Sequence, residues 1–359
     1  MTRLSEIETF ALRLKQARIA EKLSMDGLCA KVGGAVSKQA ISKYESSKMM
    51  PSTEILDALA VALCKDREYF FRPFRFELSE FEISFRKKSG VTKKDEAALK
   101  VQIQDKIERY LEVEEILGRD VKVEIPNGSV SISSVNEMRR CAMKLRSEWG
   151  LGNNSIVNVS DLLEEKGIKI IRTGASDSFD GLSGIVNGKH YIIVVNERKN
   201  HHERMRFTEL HEVGHLMFNK FFERSLKSIE KEKLCHAFAS EMLLPSEILL
   251  EKFSSNRRIS FEEVVSLQKK YGISIDAIIY SLWEAKIIND SRYRSYWIRK
   301  KMDRNFKDVM EKSRFSEDFI DKYETMVYNA LANELISVGK AASLLDCPVT
   351  ELVRRMDFV

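Results

Sequence analysis

The segment Thr208-Glu209-Leu210-His211-Glu212-Val213-Gly214-His215-Leu216-Met217-Phe218 constrains this chain more than any other. Its apolar residues recur at helical spacing, so it reads as an α-helix with a covered face. His211 and His215 then share one side of the helix, about a turn apart. Two imidazoles at that spacing can bind one ion at ~2.0–2.1 Å, the usual zinc–nitrogen distance. Glu212 stands beside the first imidazole and can reach a water held there, which suits a general base. All six histidines (His190, His201, His202, His211, His215 and His236) fall between residues 190 and 236, and a purely structural scatter would spread them along the chain.

Two histidines on an apolar helix face also occur in ordinary cores, so a third donor matters. Downstream runs Glu232-Lys-Leu-Cys235-His236-Ala-Phe238-Ala239-Ser-Glu-Met-Leu-Leu-Pro245. Glu232 follows His215 by 17 residues, and a helix hairpin can bring it beside the two imidazoles. Catalytic zinc takes three protein ligands and one open position.

The surrounding pattern places this helix after strands. Ser160 is positioned to cap a helix over 159–167. The β-type runs Ile168–Ile171 and Tyr191–Val195 follow, with Asn187-Gly188 as a hairpin signal before the second. Helices are expected over 92–117, 135–150, 203–220 and 228–244, and throughout the remainder to 359. Pro126-Asn127-Gly128 marks a turn, and Arg86-Lys87-Lys88 lies in a mixed connector.

Residues 6–72 carry short helices with tight turns, capped by Ser24, Ser37 and Pro51-Ser52. A helix from Leu23 to Ala30, a turn through Gly33-Gly34-Ala35 and a second helix from Ser37 to Glu45 make a helix-turn-helix pattern. The second helix turns Ala40, Ile41 and Tyr44 inward. Its other face offers Ser37, Lys38, Gln39, Ser42 and Lys43, which suits a recognition helix in a DNA major groove. Gln39 can bond adenine in a bidentate manner. A small helical interaction domain with a solvated face would show the same spacing. Residues 1–75 hold 13 Lys/Arg against 9 Asp/Glu, and the whole chain carries +5, so phosphate contacts are expected to supply most of the affinity.

Five scattered cysteines without a CxxC pair argue against a disulfide framework and fit a reducing cytoplasm. The opening MTRLSEIETF has no apolar core behind a basic tip, so no secretory signal is expected. No stretch approaches 18 consecutive apolar residues, so no membrane partner is expected.

HEVGH together with E-x-x-C-x-x-F-A-x-x-x-L-L-P resembles the ImmA/IrrE family of metallopeptidases. The resemblance implies that His211, His215 and Glu232 bind Zn2+, that Glu212 is the catalytic base, and that Phe238, Ala239, Leu243 and Pro245 are structural. Cys235 stands where the family has alanine. His236 stands where the family has Asp or Asn, so it either accepts a bond from a ligand histidine or approaches the metal itself. Residues 10–63 resemble the Cro/CI-type (XRE) helix-turn-helix through Arg13-Leu14-Lys15, Arg18, Leu23-Ser24, Leu28, Ser37, Ile41-Ser42, Tyr44-Glu45, Pro51-Ser52, Leu56 and Leu59-Ala60. Met25 replaces the glutamine that often contacts phosphate there.

The expected fold is mainly α with a small β-sheet. An all-α helix-turn-helix domain occupies 1–72, a helical connector 73–130, an α+β zincin-like metallopeptidase domain 131–285 and a helical region of unassigned role 286–359. The expected function is a cytoplasmic transcriptional regulator with a zinc-dependent endopeptidase that cleaves a regulatory protein through metal-activated water. Its partners would be an operator in double-stranded DNA, read by a homodimer if the site is near-palindromic, and a repressor or antitoxin-like substrate. Two alternatives stay open at this point: a non-catalytic metal-bound sensor on a transcription factor, and a toxin–antitoxin component. His201 and His202 precede the helix as solvated residues or as substrate contacts, and His190 is an ordinary residue beside a turn.

Overall fold

A computed structural model describes residues 4–74, 92–119, 121–124, 131–174, 180–197, 202–253, 257–316 and 321–356. Arg86–Lys88, the turn at 126–128 and His201 lie outside the described residues. The architecture is mainly helical with one small sheet, in two compact units: Met1–Asp120 joined with Ile320–Val359, and Val121–Phe319.

The first unit opens with α1 (Glu6–Ala20), α2 (Met25–Lys31), α3 (Lys38–Glu45) and α4 (Thr53–Ala62), then the long α5 (Lys93–Ile116). The second unit holds α6 (Val135–Glu148), α7 (Val159–Glu165), β1 (Lys169–Thr173), β2 (Gly181–Val186), β3 (His190–Asn196), α8 (His202–Phe218) and α9 (Ser228–Leu243). It continues through α10 (Ser246–Lys252), α11 (Phe261–Tyr271), α12 (Ile275–Glu284), α13 (Asp290–Met302) and α14 (Arg304–Glu311). The chain then returns to the first unit with α15 (Lys322–Ala332), α16 (Val338–Leu345) and α17 (Val349–Met356).

Local chemistry sets most helix starts. Ser24, Ser37 and Ser52 each accept a backbone N–H of the first turn, so α2, α3 and α4 begin where hydroxyl caps stand. The start of α7 differs from the sequence expectation. Asn158 caps it, accepting from Asp161 N at 3.0 Å, and Ser160 falls inside the first turn. The Ser160 hydroxyl turns inward instead and donates to Glu209 at 2.8 Å.

The sheet has the order β1-β3-β2. β1 runs parallel to β3, and β2 pairs antiparallel through a hairpin whose corner residues, Asn187 and Gly188, both have positive φ. That backbone is the twist-matched two-residue turn that Asn-Gly favours. Central β3 is buried from Tyr191 to Asn196, and α8 packs against both β2 and β3. Beneath α8 and α9, Leu210, Val213, Phe238, Ala239 and Leu243 form one apolar core with strand residues Ile193 and Val195.

The first unit is held by a different device. Phe10, Leu14, Leu28, Ile41 and Leu59 form a small core with no exposure. Beside it, the buried Arg13 of α1 ion-pairs with Glu108 of α5 at 2.6 Å and donates to the carbonyls of Arg72 and Pro73 at 2.9 and 3.0 Å. Asp105 of α5 accepts from Arg72 and Arg109. Burial pushes the Asp105 carboxyl up, but the charges of Arg109, Arg72 and Lys65 outweigh it and hold the group at about 2. Arg109 also donates to the Leu344 carbonyl of α16 at 3.3 Å, and Lys340 of α16 pairs with Glu112 at 2.7 Å. The last helices are thereby fastened to α5 by charges on both sides.

Removing one member of a buried pair strands the other. Glu108→Ala is expected to lower the stability of this unit by about 3–5 kcal/mol. Asp346→Asn, which removes the charge at a side chain 56% exposed and 3.5 Å from Arg109 while tolerating the positive φ there, is expected to cost under ~1 kcal/mol. Urea unfolding of the full chain, followed by amide exchange in α1 and α5, measures both. Equal losses would contradict the burial argument.

Candidate functional site

The second unit's site is built on two helices that approach closely because one residue lacks a side chain. A Cβ added to Gly214 of α8 would lie 3.3 Å from the Cα, Cβ and Sγ of Cys235 on α9. That contact sets α9 against the turn between His211 and His215. Glu232 stands three residues before Cys235, one turn back along α9, and so reaches the two imidazoles.

The three groups converge. His211 Nε2 and His215 Nε2 are 3.1 Å apart, and the Glu232 carboxylate reaches each at 3.3 Å. His211 is buried, while His215 and Glu232 are partly open. Among the described residues, these three form the one cluster of His, Cys, Asp and Glu donors close enough to hold an ion. Their spacing fits the metal. Ligands ~2.0–2.1 Å from one zinc at tetrahedral angles stand roughly 3.3 Å from each other. Two imidazoles and one carboxylate are also the donor set of a catalytic zinc site with a position left for substrate.

Glu212 faces the sheet. Its carboxylate accepts from the Ser183 hydroxyl of β2 at 2.9 Å. Gly181, two residues earlier in β2, permits that approach. A Cβ there would meet Thr208 at 2.6 Å and the Glu212 side chain at 3.4 Å. Among the described residues β2 is an edge of the sheet.

His236 does not join the three-donor cluster. Its ring packs on that of His211, with centroids 4.5 Å apart, and touches Phe207 at 5.8 Å on its other side. Phe238, Ala239 and Leu243 are buried, and Pro245 begins the turn into α10, where Glu241 accepts the Ser246 N–H at 2.8 Å. His202 is the first residue of α8, and His190 the first of β3.

In the first unit, Ser37, Lys38, Gln39, Ser42 and Lys43 are all exposed on α3, while Ile41 and Tyr44 are buried beneath them. The helix is anchored at its far end. Arg18 of α1 grips Glu45 with two bonds of 2.6 and 2.8 Å and reaches the Leu23 carbonyl at 2.9 Å. Such a fork fixes orientation as well as position. Lys38 is engaged by Asp26 of α2 at 2.7 Å, and that partner raises its pKa.

Sequence reasoning missed Ser183, Gly181 and the support beneath α8, where Ser160 and Arg172 gather around Glu209. All of these come from strands or from the helix before them, and no spacing rule links them to the HEVGH helix. A glycine opening a strand was the one available signal.

Two family models match the chain. Residues 163–282 match the IrrE N-terminal-like domain, a peptidase family, and residues 14–70 match the helix-turn-helix family. The chain therefore carries an XRE-type helix-turn-helix domain followed by an ImmA/IrrE-type, metallopeptidase-like domain. No curated protein matches it. Among the described residues no helix is long and apolar enough to cross a membrane.

The Gly214 contact can be tested directly. Gly214→Val is expected to force α9 away, lowering stability by about 1–3 kcal/mol through overpacking and weakening zinc binding at least tenfold. Cys235→Ala in that background should restore little, because the Cα and Cβ contacts remain. Calorimetric zinc titration of the variants decides; unchanged affinity in Gly214→Val would show that the helix approach does not position Glu232.

Proposed function

We propose that this chain is a cytoplasmic DNA-binding regulator whose second unit is a zinc-dependent endopeptidase acting on a regulatory protein, such as a repressor or an antitoxin-like partner. The observation that carries the reading is the convergence of three donors at 3.1–3.3 Å with Glu212 next to them on the same helix. His211, His215 and Glu232 would hold the ion. A zinc bound there supplies a Lewis acid that polarises the peptide carbonyl and acidifies a water.

The chain's own groups do the rest. Glu212 takes the proton of the attacking water on its carboxylate and returns it to the leaving amine. Ser183 donates to Oε2 of Glu212 and so fixes the plane in which the carboxylate works. The outer edge of β2 offers backbone N–H and C=O groups to a substrate chain in extended form, which favours a polypeptide over a compact small molecule. Gly181 lets the strand lie close against Thr208 and Glu212 of α8.

The reading assigns the exposed face of α3 to DNA. Gln39 would read a base edge, and Ser37, Lys38, Ser42 and Lys43 would bond or neutralise phosphates. The Arg18–Glu45 fork holds the helix at a constant angle as it does so.

Elemental mass spectrometry is expected to find about one zinc per purified chain and none in His211→Ala. Glu212→Gln should keep the metal and the fold yet lose peptide cleavage by 10²-fold or more. Zinc-loaded Glu212→Gln with full activity would remove Glu212 from the base role. Regulation left intact by Glu212→Gln would favour a metal-bound sensor without catalysis.

DNA binding makes a separate forecast. Gln39→Ala should cost about 1–3 kcal/mol on the selected site and relax preference at one base, whereas Lys43→Ala should weaken all sequences alike and reduce the salt slope by about 1. Electrophoretic titrations over a salt series distinguish the two patterns. Identical behaviour of both variants and wild type would exclude α3 as the reading helix.

A further inference from the structure

Next to the metal cluster lies a cleft of about 700 Å³. It begins at His236, whose ring packs against that of His211, and continues between α8, α12, α13 and α14. Its walls include Phe207, Ala277, Tyr280, Trp297 and Met310. That volume lies within the range of sites that enclose ligands, about 300–1,000 Å³.

Most of the charged groups around the cleft are bonded to one another, while Lys233 stands exposed at its wall. Asp276 accepts the Tyr296 hydroxyl at 2.6 Å and Lys300 at 2.5 Å, and Lys300 also reaches Glu311 at 3.0 Å. Glu203 accepts from Gln268 at 3.0 Å, Ser313 at 2.7 Å and the Arg314 N–H at 3.2 Å. Arg204 is held by Asp180 at 2.8 Å. With those groups bonded among themselves, the surface offered to an occupant is mainly the aromatic and aliphatic one, with Lys233 as a cation at its wall. Trp297 sits there 37% exposed, a large apolar side chain at the edge of a concave site.

We propose that this cleft is the specificity subsite of the peptidase: it receives a bulky apolar, preferentially aromatic, side chain of the substrate polypeptide within a few residues of the cleaved bond. The inference rests on the peptidase reading above and deepens it. Two features single out a side chain of the substrate over an unattached small molecule. The cleft is lined by His236, whose ring packs on that of His211, so the two regions lie one imidazole ring apart. It is also larger than one side chain requires, leaving room for the backbone that carries it. His236 forms the step between the two regions, which gives this histidine a positioning role without a metal bond. Trp297 and Met310 belong to α13 and α14, beyond residue 282 where the family match ends. That part of the wall is thus contributed from outside the matched residues.

Two arms test it on the full-length protein. First, N-acetyl-phenylalaninamide and N-acetyl-glycinamide are titrated by ligand-observed NMR. Saturable binding of the first, at least tenfold tighter than the second, is expected. A tenfold loss is expected in Ala277→Trp, which fills the cleft, and in Trp297→Ala, which removes a wall from an exposed position. Second, a mixed peptide library is digested with zinc-loaded protein. Wild type should cut beside bulky apolar residues, and Ala277→Trp should shift the cuts towards small ones. Zinc content and melting temperature equal to wild type identify properly folded variants. No preference for the aromatic probe, or an unchanged cutting pattern in both variants, overturns the subsite. No cutting by wild type beyond that of Glu212→Gln overturns the peptidase reading on which it rests.

Discussion

Everything at the candidate metal site depends on how closely α8 and α9 approach at Gly214. Zinc ligation tolerates little error, because donor atoms must all lie near 2 Å from one point. His211 and His215 satisfy this between themselves by helical geometry alone. Glu232 is carried on another helix, and its reach is set by the backbone-to-backbone distance where Cys235 meets Gly214. A small residue on each side of that contact is what makes three donors out of two. The buried neighbours Phe238, Ala239 and Leu243 then keep α9 from rolling about its axis.

The two units solve the problem of rigidity by opposite means. The second relies on a broad apolar core beneath a helix pair and a three-stranded sheet. The first has a small core and adds buried ion pairs, in which Arg13, Glu108, Asp105, Arg72 and Arg109 satisfy one another. Buried charges contribute little net stability when complete, but they tolerate few alternative arrangements. That suits a scaffold for α3, whose polar face would, on the proposed reading, meet DNA at a constant angle. The Arg18–Glu45 fork repeats the same principle closer to the reading surface.

What the sequence made legible was local. Serine caps, the Asn187-Gly188 hairpin, the helix bearing HEVGH and the second helix bearing Glu232 all follow from short-range periodicity and turn chemistry. The pairing of Glu232 with the histidines came from the helix-hairpin argument and from the family resemblance, and the two matched family models agree with the resemblance. The features it did not reveal are long-range. Ser183 meets Glu212 across 29 positions, and Arg109 meets Leu344 across 235. Neither contact leaves a periodic trace, because each depends on where a strand or helix returns after an intervening fold. Ser160 shows the limit of local rules from the other side: a residue well suited to a cap lies two residues inside the helix and holds Glu209.

The return of α15–α17 to α5 has a consequence for the order in which the molecule is made. Domains generally fold as units while the chain is being synthesised from its N-terminus. Here the unit that starts first finishes last, because Asp346, Leu344 and Lys340 complete the partners of Arg109 and Glu112. Residues 121–319 have all been synthesised by then. A chain halted shortly after residue 319 would have its metal-site unit whole and its helix-turn-helix unit still lacking α15–α17. Synthesis thus completes the two units in the reverse of the order in which it begins them.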